Sequence, residues 1–403
     1  MNSALEGIRI ADFSQFWAGP YAVTLLTYMG AEAIKIESTK RHDGTRDISM
    51  TTGRRYTGLE RSLPFAEICA NRLNVALDIT KPKGAELAKR IVQVSDIVVQ
   101  NFTPGTMDRL GLGYEDLKEI KPDIIYLSSS AVGTTGPERN YRGFAPLFCN
   151  QSGAAYITGY ADGEPATMGG KIDILSAMTS AFAILAALNH RQKTGEGQHI
   201  DVSSTESISV LIGDVLMDYT MNARSQARKG NRDDIMAPHN CYRCKGEDKW
   251  ISIAISNDDE WRAFVDAIGN PEWAKDGRLS DAYSRKANEE ELDRLISGWT
   301  INYTHYEAME ILQKAGVAAM PSFSNVELLS DPHFKARERA VEFEHPVIGK
   351  ITMLTPPWKL SETPARVSSP AALLGQHNSY VFGELLGMSE EEIKALAEEQ
   401  VIY

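Results

Sequence analysis

The chain has 403 residues, 43% of them hydrophobic and 24% charged, with 42 Lys and Arg against 54 Asp and Glu for a formal charge of −12. That length exceeds one ordinary domain, so two lobes, or one large domain carrying a smaller insert, are expected, without repeats or low-complexity tracts. The acidic balance opposes nonspecific binding to nucleic acid or acidic membranes, so an anionic ligand needs a local basic site.

The opening residues lack a basic stretch followed by a long apolar one. The strongest apolar run, Ala181 to Leu188, falls short of the roughly 20 residues of a membrane span. Four cysteines, Cys69, Cys149, Cys241 and Cys244, are too few for a disulfide framework. A soluble, cytoplasmic protein with no membrane or nucleic-acid partner is the expectation.

In chain order, GIRIADF reads as a strand, SQFWAGP as a loop, YAVTLLTYMG as a helix and AEAIKIE as a second strand, a βαβ unit. KGAELAKRIVQV (helix), DIVVQNF (strand), MDRLGLGYEDLKEI (helix) and DIIYLSSS (strand) continue the alternation, as in a parallel sheet. A helix rich in Ala, Ile and Leu runs from Asp173 to about His190 and ends near Lys193-Thr-Gly-Glu-Gly-Gln, followed by the strand HIDVSS. Residues 205–223 read as a long helix, and the polar run at Arg228-Lys-Gly-Asn-Arg-Asp-Asp reads as a linker. Residues 239–256 form a hairpin pattern, the section to about Ala315 is mostly helical, and the tail mixes strands (EFEHPV, KITML) with a final helix for which Ser389 is the N-cap. The fold class expected is α/β: a Rossmann-like large domain with a parallel sheet, made of 1–224 and a return segment 319–403, plus a smaller α+β domain at 225–318.

Glu37 lies about twenty residues beyond the first loop, as in a dinucleotide-binding unit. That loop has one glycine where the fingerprint needs three, so nicotinamide binding is disfavoured. P-loop, H-E-x-x-H and G-x-S-x-G motifs are missing. Cys241-x-x-Cys244 has His239 nearby but no second ligand pair for structural zinc, so packing on the hairpin is the better reading. Asp173 sits where Gly169-Gly-Lys-Ile gives way to the apolar helix. On residue chemistry alone, helix capping is the commoner use of such an aspartate.

A series of short motifs then falls in order. Ala18-Gly-Pro, Gly30-Ala-Glu, Lys35-Ile-Glu, Asn71-Arg and Leu77-Asp come first; Asn101-Phe-x-Pro-Gly, Arg109-Leu-Gly, Gly133-x-x-Gly-Pro and Gln151-Ser-Gly follow, then Asp173, Lys193-Thr-Gly-x-Gly-Gln and Leu374-Gly-Gln-His. Through this series the whole chain resembles the class III CoA-transferases, the group of formyl-CoA transferase and carnitine CoA-transferase. The resemblance implies that Asp173 attacks an acyl-CoA carbonyl to form a mixed anhydride and then an enzyme–CoA thioester, and that Gly169 and Gly170 let backbone approach the oxyanion. It places Gln15, Phe16, Trp17 and Ala18 beside the acyl and pantetheine end. Asn101, Phe102 and Met107 belong to the CoA-contacting set, and Arg109 reaches a phosphate. Arg72 and Lys81 add positive charge near the nucleotide, although Lys81 reads equally well as a solvated surface charge.

CoA thioesters are thus expected as substrates, with no tightly bound cofactor and no metal. The partner is either a second copy in an interlocked dimer or a related subunit in a heteromer. Gln15, Trp17 and Ser38 depart from the formyl enzyme's residues, which moves the acid away from formate and oxalate. Trp17 either walls a larger acid or is simply structural. A likeness to the heteromeric succinyl-CoA:benzylsuccinate CoA-transferases of aromatic degradation suggests succinyl-CoA as donor and an aromatic or dicarboxylic acceptor. Racemase chemistry, the sister activity, lacks its base, since Gly143-Phe144-Ala145 stands where those enzymes carry Gly-His-Asp. A noncatalytic CoA-binding subunit is the remaining alternative.

Overall fold

Successive residues of a strand face opposite sides of its sheet, and in the first half of the chain both sides are apolar, as a sheet covered on two faces requires. The computed structural model describes residues 3–47 and 58–403. Its first six strands are β1 (Arg9–Asp12), β2 (Glu32–Glu37), β3 (Arg72–Ala76), β4 (Ile97–Gln100), β5 (Ile125–Ser130) and β6 (Gln198–Ser203). They lie in the order β3-β2-β1-β4-β5-β6, each pair of neighbours parallel. Ile10, Ala33, Ile97, Val99, Ile125 and Leu127 enter one core with the helices Ala18–Tyr28 and Ile172–Thr194. Their neighbours Ala11, Ile34, Val98 and Tyr126 enter the opposite core with the helix Pro82–Gln93. The chain winds outward in opposite directions from β1 and β4, which leaves a crevice beyond the carboxyl ends of those two strands.

Two helices expected from the sequence are broken in the structure. Residues 107–120 form a single turn, Thr106–Arg109, and a separate helix, Tyr114–Ile120, because Gly111 adopts φ +66° between them and Leu112 turns fully into the core. Residues 205–223 divide into Ser204–Ser209, a tight 3-10 turn Val210–Ile212 and Gly213–Asn222; of the apolar triplet at the break only Ile212 is buried. The helix Ile172–Thr194 is long and apolar enough to cross a membrane by length and composition alone, a test the shorter run Ala181–Leu188 had not met. Its Ala181, Ile184 and Ala187 edge is buried against the sheet.

The chain divides into two compact units, Met1–Ala155 with Thr167–Arg224 and Lys335–Tyr403, and Tyr156–Ala166 with Ser225–Phe334. The second unit has an antiparallel sheet of β7 (His239–Arg243), β8 (Trp250–Ala254) and β9 (Ala318–Pro321). Pairing of β9 with β8 keeps residues 319–334 in this unit, whereas the sequence reading started the return segment at 319; residues 156–166, read as part of the large domain, also group here. Cys244 is buried in this unit's core with Tyr242, Ile251 and Ile253. In the first unit β10 (Ala340–His345) and β11 (Gly349–Leu354) form a hairpin. The tail then returns to the large sheet: the His377 N–H donates to Asn74 O and the Tyr403 N–H to Ala76 O, both beside β3. The final helix, Glu390–Glu398, starts with a capping box at Ser389.

Buried charges tie the carboxyl ends of the first strands together. Arg72 Nη1 reaches Asp12 Oδ2 at 2.8 Å, Arg46 Nη2 reaches Glu37 Oε2 at 2.9 Å and Lys35 Nζ reaches Asp43 Oδ2 at 2.9 Å. Burial disfavours the Glu37 charge, yet Arg46 and Lys35 outweigh it and hold the carboxyl near a pKa of about 2. The Arg72 guanidinium also donates to the Pro20 and Ile68 carbonyls and to Thr24 Oγ1. An Arg72→Met protein keeps a buried, unpaired Asp12 and should lose about 3–5 kcal/mol of unfolding free energy in urea titration. A loss below about 1 kcal/mol would show that the pair carries no such weight.

Candidate active site

Three loops leave parallel strands at the same edge of the sheet, so their residues converge. Gln15, Phe16, Trp17 and Ala18 follow β1, Asn101, Phe102, Thr103 and Pro104 follow β4, and Ser130 and Ala131 end β5; together they line a cavity of about 990 Å³. The start of the helix Ile172–Thr194 adds Gly170, Lys171, Asp173 and Ile174, and the loop ahead of the helix Ala145–Gln151 adds Arg139, Arg142 and Phe144. This is the position at which open α/β sheets hold ligands.

Asp173 is the second residue of its helix, not the cap: the cap position is Lys171, without a side-chain cap hydrogen bond. No described residue donates a hydrogen bond to the Asp173 carboxylate, and burial pushes its pKa up to about 6. Met168 and Gly169 precede it in left-handed conformations, at φ 45° and 60°, and turn the chain into the helix. The carboxylate therefore faces the cavity uncommitted to local structure.

The loop after β1 is held by side chains from neighbouring strands. Asn101 accepts the Gln15 N–H at Oδ1 and donates from Nδ2 to the Gln15 carbonyl, each at 2.7 Å. Its amide thus binds the loop itself. Lys35 donates to the Ser14 carbonyl at 2.6 Å, and Asp43 Oδ1 accepts the Phe16 N–H at 3.0 Å. Phe16 lies at φ 64°, and its ring meets Phe144 edge-on with centroids 6.0 Å apart. Trp17 caps the helix Ala18–Tyr28 and lines the cavity.

Among the residues singled out from sequence, Gln15 to Ala18, Asn101, Phe102, Gly170 and Asp173 come together at this cavity, whereas Gly169 stands just outside its lining. Arg72 does not reach the cavity; it is 4% exposed and its guanidinium is consumed by Asp12 and backbone carbonyls. Met107 is 3% exposed and borders a smaller adjoining pocket, and Arg109 lies outside both, hydrogen-bonded to Thr106. Lys81 Nζ is engaged by the Glu399 carbonyl at 2.6 Å. Sequence reasoning missed Asp43, Gly44, Arg139 and Phe144 as cavity-shaping residues. The one available signal was the acid–glycine pair of Asp43-Gly44 shortly after the Lys35-Ile-Glu motif.

A model of CoA-transferase family III matches residues 5–378. The chain is 35% identical to the succinyl-CoA–D-citramalate CoA-transferase of Chloroflexus aurantiacus over 99% of its own length and 98% of that protein. It is 31% identical to the beta subunit of the succinyl-CoA–L-malate CoA-transferase of the same organism, again over 99% of this chain and 98% of the relative. Among solved structures, a CAIB/BAIF family protein from Brucella suis aligns with a TM-score of 0.85 at 29% identity, covering 96% of this chain and 100% of that one.

The raised Asp173 pKa has a definite sign for stability. The folded chain holds this proton more tightly than the unfolded chain, so ionisation between the ordinary aspartate value of 3.8 and about 6 destabilises the fold, fully so above that window. Solvent and the helix N-terminus ease the charge, leaving about 2 kcal/mol. Asp173→Asn should be more stable than the parent by about that amount at pH 7.5, and equal to it near pH 4. Thermal unfolding at the two pH values checks this; an equal gain at both would refute the assignment.

Proposed function

The chain belongs to CoA-transferase family III and is a CoA-transferase, and we propose that it carries CoA from succinyl-CoA to a second carboxylic acid by covalent catalysis on Asp173. The observation that carries this reading is a first-turn carboxylate, free of hydrogen bonds from described residues and raised in basicity, facing a large cavity at the sheet's switch point. At neutral pH it is ionised, yet more basic than an ordinary aspartate.

In the proposed cycle a carboxylate oxygen of Asp173 attacks the thioester carbon, the C–S bond breaks and CoA thiolate leaves, giving a mixed anhydride. The thiolate then attacks the aspartyl carbonyl and releases succinate, leaving CoA on Asp173. The acceptor carboxylate reverses both steps and departs as its CoA thioester, restoring the aspartate. Each tetrahedral oxyanion requires nearby donors, for which the first-turn N–H groups and the backbone at Gly169 and Gly170 are suited. Gln15, Phe16, Trp17, Ala18, Asn101 and Phe102 would border the acyl and pantetheine portions, with Met107 and Arg109 toward the nucleotide.

The proposed acceptor class is dicarboxylic. Both Chloroflexus relatives are named for succinyl-CoA and a hydroxylated diacid. Arg139, Arg142 and Lys171 line the cavity and have no carboxylate partner among the described residues, which suits a second carboxylate and the phosphates of CoA. The aromatic wall of Phe16, Trp17 and Phe144 extends the class to bulkier diacids such as benzylsuccinate. Racemisation is disfavoured because Phe144 and Ala145, which line the cavity, carry no titratable group.

We further propose a dimer, either of two copies or with a related subunit, as the relative named a beta subunit suggests. Exposed apolar side chains support it: Phe182, Met178, Leu216, Met217 and Met221 are all more than half exposed, and large apolar side chains left on a surface suit a partner. Light scattering should return twice the chain mass; a monomer at micromolar concentration and with co-expressed family members would overturn it. For the chemistry, Asp173→Ala should lower kcat by at least about 10³. Hydroxylamine after incubation with succinyl-CoA should label Asp173 in the parent. Full activity in the Ala variant would sink the mechanism.

A further inference from the structure

Phe16 is the only aromatic residue among the described ones that holds a left-handed backbone, at φ 64°. For a bulky side chain this conformation is unfavourable and persists only where its surroundings impose it. The imposing group is Asp43. Its Oδ1 accepts the Phe16 N–H at 3.0 Å, together with the Thr45 N–H at 2.9 Å and the Thr45 hydroxyl at 2.7 Å. Its Oδ2 is held by Lys35 at 2.9 Å, and both members of that pair are buried, at 0% and 1% exposure. Lys35 also fixes the residue before the loop, through the Ser14 carbonyl at 2.6 Å.

The next residue, Gly44, makes room for the ring. A Cβ there would sit 2.5 Å from Phe16 Cε1 and 2.7 Å from Cζ, closer than any carbon pair tolerates, so the absence of a side chain at 44 lets the ring lie against this turn. On its other side the ring meets Phe144 edge-on. Phe16 and Phe144 both line the cavity that contains Asp173. The Asp43 carboxylate is enclosed behind the loop and does not line that cavity.

We propose that Asp43, neutralised by Lys35 and followed by Gly44, is a positioning residue that holds Phe16 in its left-handed conformation, so that the Phe16 ring forms a fixed specificity wall against the acyl group of the CoA thioester. The inference rests on the functional reading above and identifies what sets acyl selectivity in that site. A carboxylate is suited to this role because it accepts three hydrogen bonds with one oxygen while the other takes the lysine. A neutral amide places N–H groups where the Lys35 ammonium sits and so cannot satisfy both sides.

The test is the ratio of affinities for succinyl-CoA and free CoA, measured by calorimetry in an Asp173→Ala background so that no turnover intervenes. Phe16→Ala should lower the preference for succinyl-CoA by about tenfold. Asp43→Asn should lower it to a similar degree, as should Gly44→Ala, which displaces the ring while leaving the Lys35–Asp43 pair intact and guards against misfolding of the Asp43 variant. Adding Asp43→Asn to Phe16→Ala should cause no further loss in the ratio, because Asp43 acts through Phe16. Folded Asp43→Asn and Gly44→Ala proteins that retain the parental ratio would overturn the proposal, as would losses that multiply in the double variant. Failure of the background protein to bind either ligand would overturn the CoA reading and this inference with it, whereas loss of turnover alone bears only on the Asp173 chemistry.

Discussion

Asp12, Glu37 and Asp43 are at most 2% exposed, and each meets a buried cation: Arg72, Arg46 and Lys35. A charge removed from water in this way is strongly destabilising unless its partner is held in place, so these pairs constrain everything attached to them. Arg72, on β3, reaches back across the sheet to Asp12 at the end of β1 and to carbonyls at Pro20 and Ile68. Arg46 joins Glu37 at the end of β2 to Glu60 at 2.6 Å and to the Ala372 carbonyl at 3.2 Å, which draws the C-terminal segment onto the same edge. Burial disfavours the Lys35 charge, yet Asp43 and its neighbours outweigh it and raise its pKa. The loop after β1 thereby rests on a charged foundation that does not itself face the cavity.

This arrangement divides the first unit's charges into two kinds. Those beneath the loop are consumed by one another. Those at the cavity are not: Asp173 receives no hydrogen bond from described residues, and Arg139, Arg142 and Lys171 meet no carboxylate among them. For a chain of net charge −12, basic groups left unpaired around a cavity are the local condition under which polyanionic substrates are held. The elevated Asp173 pKa is the cost of leaving a carboxylate in a desolvated pocket, and a stability–activity trade-off of this kind is common at functional sites.

Much of this was legible in the residues. The alternation of short apolar strands with amphipathic helices is a local property, and it indicated a parallel sheet with both faces covered. The ordered motifs from Ala18-Gly-Pro to Leu374-Gly-Gln-His indicated the family, and Asp173 stood in a glycine-led turn where either a cap or a nucleophile could stand. Other features were not legible. Arg72 read as a free cation because sequence carries no account of what a β3 side chain meets on β1. Residues 107–120 read as one helix because the amphipathic period survives the break at Gly111.

What the sequence determined by itself was therefore the α/β alternation of most strands and helices and the chemical family, which depend on periodicity and on short contiguous motifs, whereas β3 and β9 escaped it. Only the tertiary structure decided which charges are free and which are consumed. It turned Asn101 onto the Gln15 backbone, buried Arg72 against Asp12, and brought Asp43, Gly44 and Phe144 to Phe16 across 27 to 128 positions of chain. The physical reason is that pairing of a charge or a backbone N–H is a property of distance in space, which no spacing along the chain encodes.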